Sequence, residues 1–263
     1  MKIISGLHDY LNSMIYPTKW FYLAYMDVLL RYKRTLLGPW WVTLGIGIII
    51  LTLSSLWPII LSTDLSFFVP YFTIGYIIWH WIQTTILESS STFIEFEGLV
   101  KQIKIPISTY LLRISSRNFI IFLHNITLIA IALFYFQKDV NFNELLYLSL
   151  PSLLLIFISI NSIGIILAIL SIRYRDLVNI VGFSLQLIFF LTPIIWHASI
   201  IEKNINLIEW NIIFHWIELL RQPLLGLEVP DNSFHIVLLF TIFTFVLSCF
   251  VIGKYRSKII FWL

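Results

Sequence analysis

Six long apolar stretches alternate with short polar segments along the chain, and each approaches the roughly 20 residues that an α-helix needs to cross about 30 Å of hydrocarbon. They lie near 40–61, 68–87, 115–136, 145–170, 179–196 and 234–253. This pattern predicts an all-α integral membrane protein with six transmembrane helices, folded as a single transmembrane domain over 1–263.

The segment 18–35, before the first apolar stretch, has a different pattern. At about 100° per residue, its charged side chains fall on one arc of a helix, whereas most of its large apolar side chains fall outside that arc. The charged residues are Lys19, Asp27, Arg31, Lys33 and Arg34. Such an amphipathic helix lies in the headgroup plane, and Gly38-Pro39 is expected to break the chain before the first span.

Composition and charge placement support this arrangement and orient it. Apolar residues make up 59% of the chain and charged residues 12%, against roughly 25% charged residues in a soluble domain. Of the 17 Lys and Arg residues, only Lys138, Lys203 and Arg221 follow odd-numbered spans. The positive-inside rule therefore predicts that both termini are cytoplasmic. The net charge of +3 concerns orientation and contact with membrane lipid, and no nucleic-acid partner is expected.

The sequence lacks motifs for catalysis by this chain. The phosphate-binding loop G-x-x-x-x-G-K-[ST] and the zinc motif H-E-x-x-H do not occur. The middle of each predicted span also lacks Asp, Glu, Lys and Arg, which ion-coupled carriers place there. His80 and His124 are the ionisable exceptions, and we interpret both as helix-packing residues. We therefore expect no catalytic residue, no metal and no cofactor bound by this chain.

One face of the fifth predicted span carries aromatic rings and amides together. Its members project within about 80° of one another on a helix: Asn179, Phe183, Gln186, Phe190, Pro193 and His197. A polyhydroxylated ligand would use aromatic planes for its C–H faces and amides for its hydroxyls. Packing of this stripe on a neighbouring helix is the alternative, and the sequence leaves the two interpretations open.

Four segments resemble the permease subunit of type 2 ABC transporters that export polysaccharides such as O-antigen. They are RYKRTLLGPWWVTL at 31–44, EGLVKQIKIP at 97–106, RYRDLVNIVGFSLQLIFFLTPIIW at 173–196 and HWIELLRQPLLG at 215–226. Together they cover about a quarter of the chain, in the order and at the topological positions of that family. The family often has Asn-Pro before the last motif, whereas this chain has Asn211-Ile212.

The resemblance implies a homodimer with two separate cytoplasmic ABC ATPase subunits, which would bind ATP and Mg. It implies a coupling helix around Glu95 to Lys101, with Glu95, Glu97, Gly98 and Lys101 as candidate contacts to the ATPase. The positive-inside pattern places Arg173, Arg175 and Asp176, which follow the fourth span, at the cytoplasmic face. The resemblance also implies short re-entrant external helices within about 200–227, between spans five and six.

The function that follows is export of a lipid-linked polysaccharide across the bacterial inner membrane, with undecaprenyl-diphosphate-linked O-antigen as the first expectation. Teichoic acid or capsular polysaccharide is the near alternative. Arg31, Lys33 and Arg34 cluster before the Gly-Pro break, and we expect them to bind the lipid diphosphate. Generic anchoring to anionic lipid is the competing interpretation.

Two functions from other classes are disfavoured. A membrane-embedded glycosyl or acyl transferase should carry clusters of acidic residues or histidines at one membrane face. An ion channel or ion-coupled carrier should carry carboxylates near the membrane midplane. The sequence has neither feature. For an exporter, we expect the stripe of Asn179, Phe183, Gln186 and Phe190 to line the path of the sugar chain, with helix packing as the alternative.

Overall fold

The computed structural model describes residues 2–38, 40–136, 139–198 and 208–263, and every regular element within those ranges is helical. The first half contains α1 (Lys2–Ile15), α2 (Phe21–Arg31), α3 (Trp40–Leu61), α4 (Leu65–Glu95), α5 (Glu97–Gln102) and α6 (Ile107–Tyr135). The second half contains α7 (Phe142–Arg173), α8 (Leu177–Leu191), α9 (Ile212–Leu224), α10 (Ser233–Tyr255) and α11 (Ile259–Trp262).

Five of these helices are long and apolar enough to cross a membrane, namely α3, α4, α6, α7 and α10. The prediction of an all-helical, multi-pass membrane protein is therefore confirmed for the described residues. The fifth predicted span, 179–196, is shorter as a helix, because α8 has 15 residues and a length of about 22 Å. It ends where Thr192 turns to an extended conformation, with φ −95° and ψ 135°, as expected for the residue before Pro193.

The core is built around α4, which packs on α6 and α7 and has α3 and α8 at its sides. Trp81 of α4 stacks on Phe122 of α6 with ring centroids 4.8 Å apart. A Cβ atom built on Gly164 of α7 would lie 2.7 Å from the Cβ of Ser89. Small residues at that crossing therefore let α4 and α7 approach closely, as is common between membrane helices.

The first helix, α1, is amphipathic in the opposite sense to a helix on a water-soluble protein. Its buried residues are Gly6, Asp9, Tyr10 and Ser13, whereas Ile4 and Leu11 are exposed. A Cβ atom on Gly6 would lie 2.0 Å from the carbonyl oxygen of Cys249, so α1 and α10 are in backbone contact. Its apolar residues face away from the protein, which suits a helix surrounded by hydrocarbon.

The predicted amphipathic helix at 18–35 is shorter in the structure. A single turn at Pro17–Lys19 leads into α2, which ends at Arg31. Lys33 and Arg34 lie beyond that end, and Arg34 has a φ of 70°, so the charged residues of this segment do not share one helical arc. Asp27 departs from that arc too, because it turns inward to α6.

The expected re-entrant helices within 200–227 fall partly on 199–207, which lie outside the described residues. The described part of this segment is α9, of 13 residues.

Candidate functional site

A bidentate ion pair joins the amphipathic helix α2 to the membrane helix α6. Arg113 donates from Nε to Oδ2 of Asp27 over 2.7 Å and from Nη2 to Oδ1 over 2.6 Å. Both side chains are largely buried, with 16% and 15% of their surfaces exposed. Charge-assisted, fork-shaped pairs of this kind are among the stronger polar contacts in proteins, so α2 is fixed in position against α6.

Glu88 of α4 extends this cluster to a third helix. Its Oε2 accepts hydrogen bonds from Arg117 and Asn118 of α6, each 2.7 Å long. Its Oε1 accepts one from Arg31 at the end of α2, over 3.2 Å. The helix α6 begins at Ile107, eight residues before the predicted third span, and carries Arg113 and Arg117 on its first turns.

The cluster leaves unbalanced positive charge beside the start of α3. Among the described residues, Arg31, Arg113 and Arg117 contact two carboxylates, Asp27 and Glu88. The two residues predicted to act with Arg31, Lys33 and Arg34, are exposed, and neither forms an ion pair within the described residues. An anion arriving at the end of α2 would therefore meet two free cations and one guanidinium that already contacts a carboxylate. The role of these three residues stays a prediction.

The predicted coupling segment forms the short helix α5, directly after α4. Lys101 donates a hydrogen bond to Glu97 over 2.5 Å, and this bond together with the positive charge of Lys101 lowers the pKa of the Glu97 carboxyl. The positive charge of Arg175 lowers that pKa further. Glu95 accepts a hydrogen bond from Ser91.

The other residues predicted near the cytoplasmic face are less tightly engaged. A Cβ atom on Gly98 would meet nothing within 4 Å. The Arg173 guanidinium lies 5.5 Å from the ring centroids of Tyr174 and Trp262, which links the end of α7 to α11. Asp176 is exposed at the start of α8, and its side chain forms no capping hydrogen bond there. Docking of an ATPase to this region stays a prediction.

The predicted sugar-binding stripe lies on the outer side of α8. Asn179, Phe183, Gln186 and Phe190 are all exposed, with 69% of the Phe183 surface and 61% of the Phe190 surface accessible. Leu185 faces the core. The stripe is therefore largely free of packing partners inside its own subunit, which leaves a second subunit, lipid or a substrate as its neighbour.

Two members of the predicted stripe do not belong to it, because α8 ends before them. The backbone carbonyl of Pro193 accepts hydrogen bonds from Tyr71 over 3.1 Å and from Arg221 over 3.0 Å. The ring of His197 lies 5.3 Å from that of Tyr71 and 5.6 Å from that of Phe67. Both residues therefore contact the start of α4 instead of continuing the face of α8.

A buried guanidinium, that of Arg221, contacts both α4 and the segment after α8. Arg221 of α9 is fully buried and forms an ion pair with Glu218 one turn earlier. Its guanidinium lies 3.6 Å from the ring centroid of Tyr71, at a distance typical of cation–π attraction. A Cβ atom on Gly75 would lie 2.9 Å from Nη1 of Arg221. These four residues, Tyr71, Pro193, Glu218 and Arg221, are called the Arg221 cluster below.

A comparison with known families places the chain. The profile of the family described as ABC-2 type transporter matches residues 18–225, well over half of the sequence. This chain belongs to the ABC-2 type transporter family.

The ABC-2 chain is also similar to permeases of O-antigen export systems. It is 24% identical over 235 residues to the O-antigen export system permease protein RfbA of Klebsiella pneumoniae, covering 88% of this chain and 90% of that protein. It is 21% identical over 205 residues to the protein of the same name from Myxococcus xanthus, covering 78% and 75%. The chain is thus a multi-pass ABC-2 membrane permease, a transport subunit, as the sequence resemblance predicted.

Sequence reasoning missed two polar features of this ABC-2 permease. The Asp9 carboxylate of α1 is fully buried and accepts hydrogen bonds from the backbone N–H groups of Ile107 and Ser108, over 3.1 and 2.9 Å, so it caps α6 from another helix. The Arg221 cluster is the second feature. Glu218 and Arg221 stand three residues apart in an apolar helix, a spacing that brings charged side chains together and could have revealed the pair.

Proposed function

We propose that this ABC-2 permease moves a lipid-linked polysaccharide, with undecaprenyl-diphosphate-linked O-antigen as the first candidate, from the cytoplasmic to the outer face of the bacterial inner membrane. The observation that carries the proposal is the open basic end of α2, where Lys33 and Arg34 are exposed without ion-pair partners among the described residues. A diphosphate is a strong acceptor for guanidinium and ammonium groups. Similarity to O-antigen export permeases supports the same substrate class.

Energy for export would come from outside the chain. Two separate ATPase subunits would bind ATP and Mg, and α5 would dock to them, since it projects directly from the end of the long helix α4. The permease would act as a homodimer of six-span subunits with both termini in the cytoplasm. In that arrangement α8 counts as a span, and the lipid around it would thin or the partner subunit would cover its ends.

The exposed stripe on α8 would line the path of the sugar chain. A polymer must slide along its conduit, so tight fixed sites would trap it, whereas the ring faces of Phe183 and Phe190 offer contacts that pass from one sugar to the next. Gln186 lies one helical turn from each ring and can donate to and accept from hydroxyl groups. Exposure of this stripe within the subunit supports the assignment.

Export by variants of the basic end of α2 tests the proposal. In cells that carry the ATPase and the polymer pathway, Lys33→Ala with Arg34→Ala should lower export while membrane level and oligomeric state stay unchanged. Lys258→Ala is the matched control, because Lys258 is an exposed basic residue in the tail. Unchanged export in the double variant would refute diphosphate binding. Loss of membrane insertion would instead favour generic anchoring to anionic lipid.

A further inference from the structure

A cleft of about 670 Å³ opens between α1, the segment that follows α5, and the start of α11. Its walls are mostly apolar, and isoleucines from separate parts of the chain dominate them: Ile103, Ile105, Ile107, Ile259 and Ile260. This set is called the isoleucine wall below. The cleft lies apart from the basic end of α2, from the α8 stripe and from the Arg221 cluster.

Two cations line the same cleft and are poorly neutralised. Lys104 is exposed and forms no ion pair within the described residues. Arg256 contacts a carboxylate only at 3.8 Å, through Oδ2 of Asp9, and half of its side chain is exposed. Asp9 is already committed to capping α6. The cleft therefore carries net positive charge beside the isoleucine wall.

A third polar group in the cleft lacks a partner. The hydroxyl of Tyr110 is buried and has no hydrogen-bond partner among the described residues, although Tyr110 lines the cleft. A buried hydroxyl without a partner is destabilising. A phosphate or ester oxygen in the cleft would accept a hydrogen bond from this hydroxyl and remove the free-energy cost of leaving it without a partner.

The position of the cleft suits a lipid with a charged headgroup. It lies at the end of the bundle where basic residues of the tail gather, among them Lys254, Arg256 and Lys258. The neighbouring helix α1 turns Ile4 and Leu11 outward, which suits contact with hydrocarbon at that level. The cleft thus lies where lipid phosphates and acyl chains meet, and basic pockets between membrane helices at this depth bind anionic headgroups.

We infer that this cleft binds one anionic phospholipid. Its phosphate lies between Lys104 and Arg256 and accepts a hydrogen bond from Tyr110, while an acyl chain runs along the isoleucine wall. A segment of the ATPase is the alternative occupant, since α5 is adjacent. The lipid fits better because the isoleucine wall is apolar and the neighbouring helix α1 exposes Ile4 and Leu11, which suits an acyl chain more than a water-soluble partner.

Lipid retention measures the site directly. The full-length permease is extracted from membranes containing phosphatidylglycerol and phosphatidylcholine, and native mass spectrometry then gives the ratio of the two lipids bound. At the strength expected for one basic residue near a membrane surface, Lys104→Gln and Arg256→Gln should each lower this ratio about fivefold, and the double change about 30-fold. Lys254→Gln is the control, because its ammonium lies over the Phe250 and Tyr255 rings outside the cleft.

The single variant Lys104→Gln keeps the test decisive, because Lys104 has no ion-pair partner in the described structure whose loss could unfold the protein. An unchanged lipid ratio in Lys104→Gln and in the double variant overturns the inference. Loss of ATPase binding in lipid-free detergent, with the lipid ratio unchanged, also overturns it and identifies the cleft as a protein-docking surface. Tyr110→Phe should lower the amount of both lipids retained and leave their ratio unchanged, because both carry the phosphate that accepts the hydrogen bond.

Discussion

Removing one partner of the buried Glu218–Arg221 pair should destabilise the permease far more than removing both. Arg221 has no exposed surface and Glu218 has 2%. Glu218→Ala leaves the guanidinium buried without its counter-charge, a change that costs about 3 to 5 kcal/mol in protein interiors. Replacing both residues by apolar side chains of similar size, Glu218→Leu with Arg221→Met, removes the unpaired charge together with the pair, and this exchange by itself is expected to be near neutral.

The double replacement also loses three contacts besides the charge pair. Gln222 no longer donates a hydrogen bond to Glu218, and Tyr71 loses the guanidinium over its ring. Arg221 also donates to the carbonyl of Pro193 over 3.0 Å, but that carbonyl keeps the hydrogen bond from Tyr71 over 3.1 Å. The Gln222 bond is lost in Glu218→Ala as well, so the cost particular to the double variant comes from the Pro193 bond and the cation–π contact, about 1 kcal/mol each. The two changes should consequently be strongly non-additive, with the double variant more stable than Glu218→Ala.

Thermal unfolding in detergent, followed by size-exclusion chromatography of the surviving protein, ranks these variants. Lys101→Ala is the matched control, since it breaks the exposed pair with Glu97 and solvent screening leaves such a pair little weight. If Glu218→Ala unfolds at the same temperature as this control, Glu218 and Arg221 of the Arg221 cluster do not form a buried charge pair. If the double variant is the least stable of the set, the guanidinium stabilises through contacts other than the carboxylate.

Three further changes test other parts of the fold. Asp9→Ala should cost about 1 kcal/mol, up to about 2, because α6 loses its cap, and an unfolding temperature equal to wild type would contradict that role. Arg113→Lys should weaken the ion pair between Asp27 of α2 and α6, because an ammonium cannot reproduce a bidentate contact. Increased proteolysis of α2 would support this role of Arg113, and unchanged proteolysis would contradict it. A cysteine replacing Phe183, in a Cys249→Ser background, should react with a water-soluble thiol reagent during export if the stripe lines a conduit, whereas inaccessibility in resting and transporting states would assign it to packing.

The spans were predictable because an apolar run of about 20 residues has few alternatives in a membrane. Their ends were not, since α4 continues to Glu95 and α6 starts at Ile107, beyond the apolar windows. Hydrophobicity cannot detect those added turns, because Glu88 pairs with Arg117, and Arg113 with Asp27, only in three dimensions. The helix α5 begins two residues after Glu95, where the family resemblance placed the start of the coupling segment, and its coupling role stays a prediction.

The helix α1 escaped prediction for a related reason. Rules for amphipathic helices place apolar residues toward the protein, whereas α1 buries Asp9 and Ser13 and exposes Ile4 and Leu11. The signal was present in the sequence, as apolar residues recurring at helical spacing, but its orientation depends on the surrounding solvent. Partners 95 residues or more away in the chain, such as Ser108 for Ser13, cannot be identified from one sequence.

The arrangement of buried charge makes α4 the connection between the two ends of the molecule. Near one end Glu88 accepts hydrogen bonds from α2 and α6, and near the other Tyr71 lies beneath the guanidinium of Arg221 from α9. The helix has 31 residues and a length of about 46 Å, and α5 follows after a single residue. Because α4 is packed along its whole length, a displacement of α5 must either strain one of these two polar clusters or move them together. We expect the second, since both clusters consist of discrete, strong contacts that shift as units.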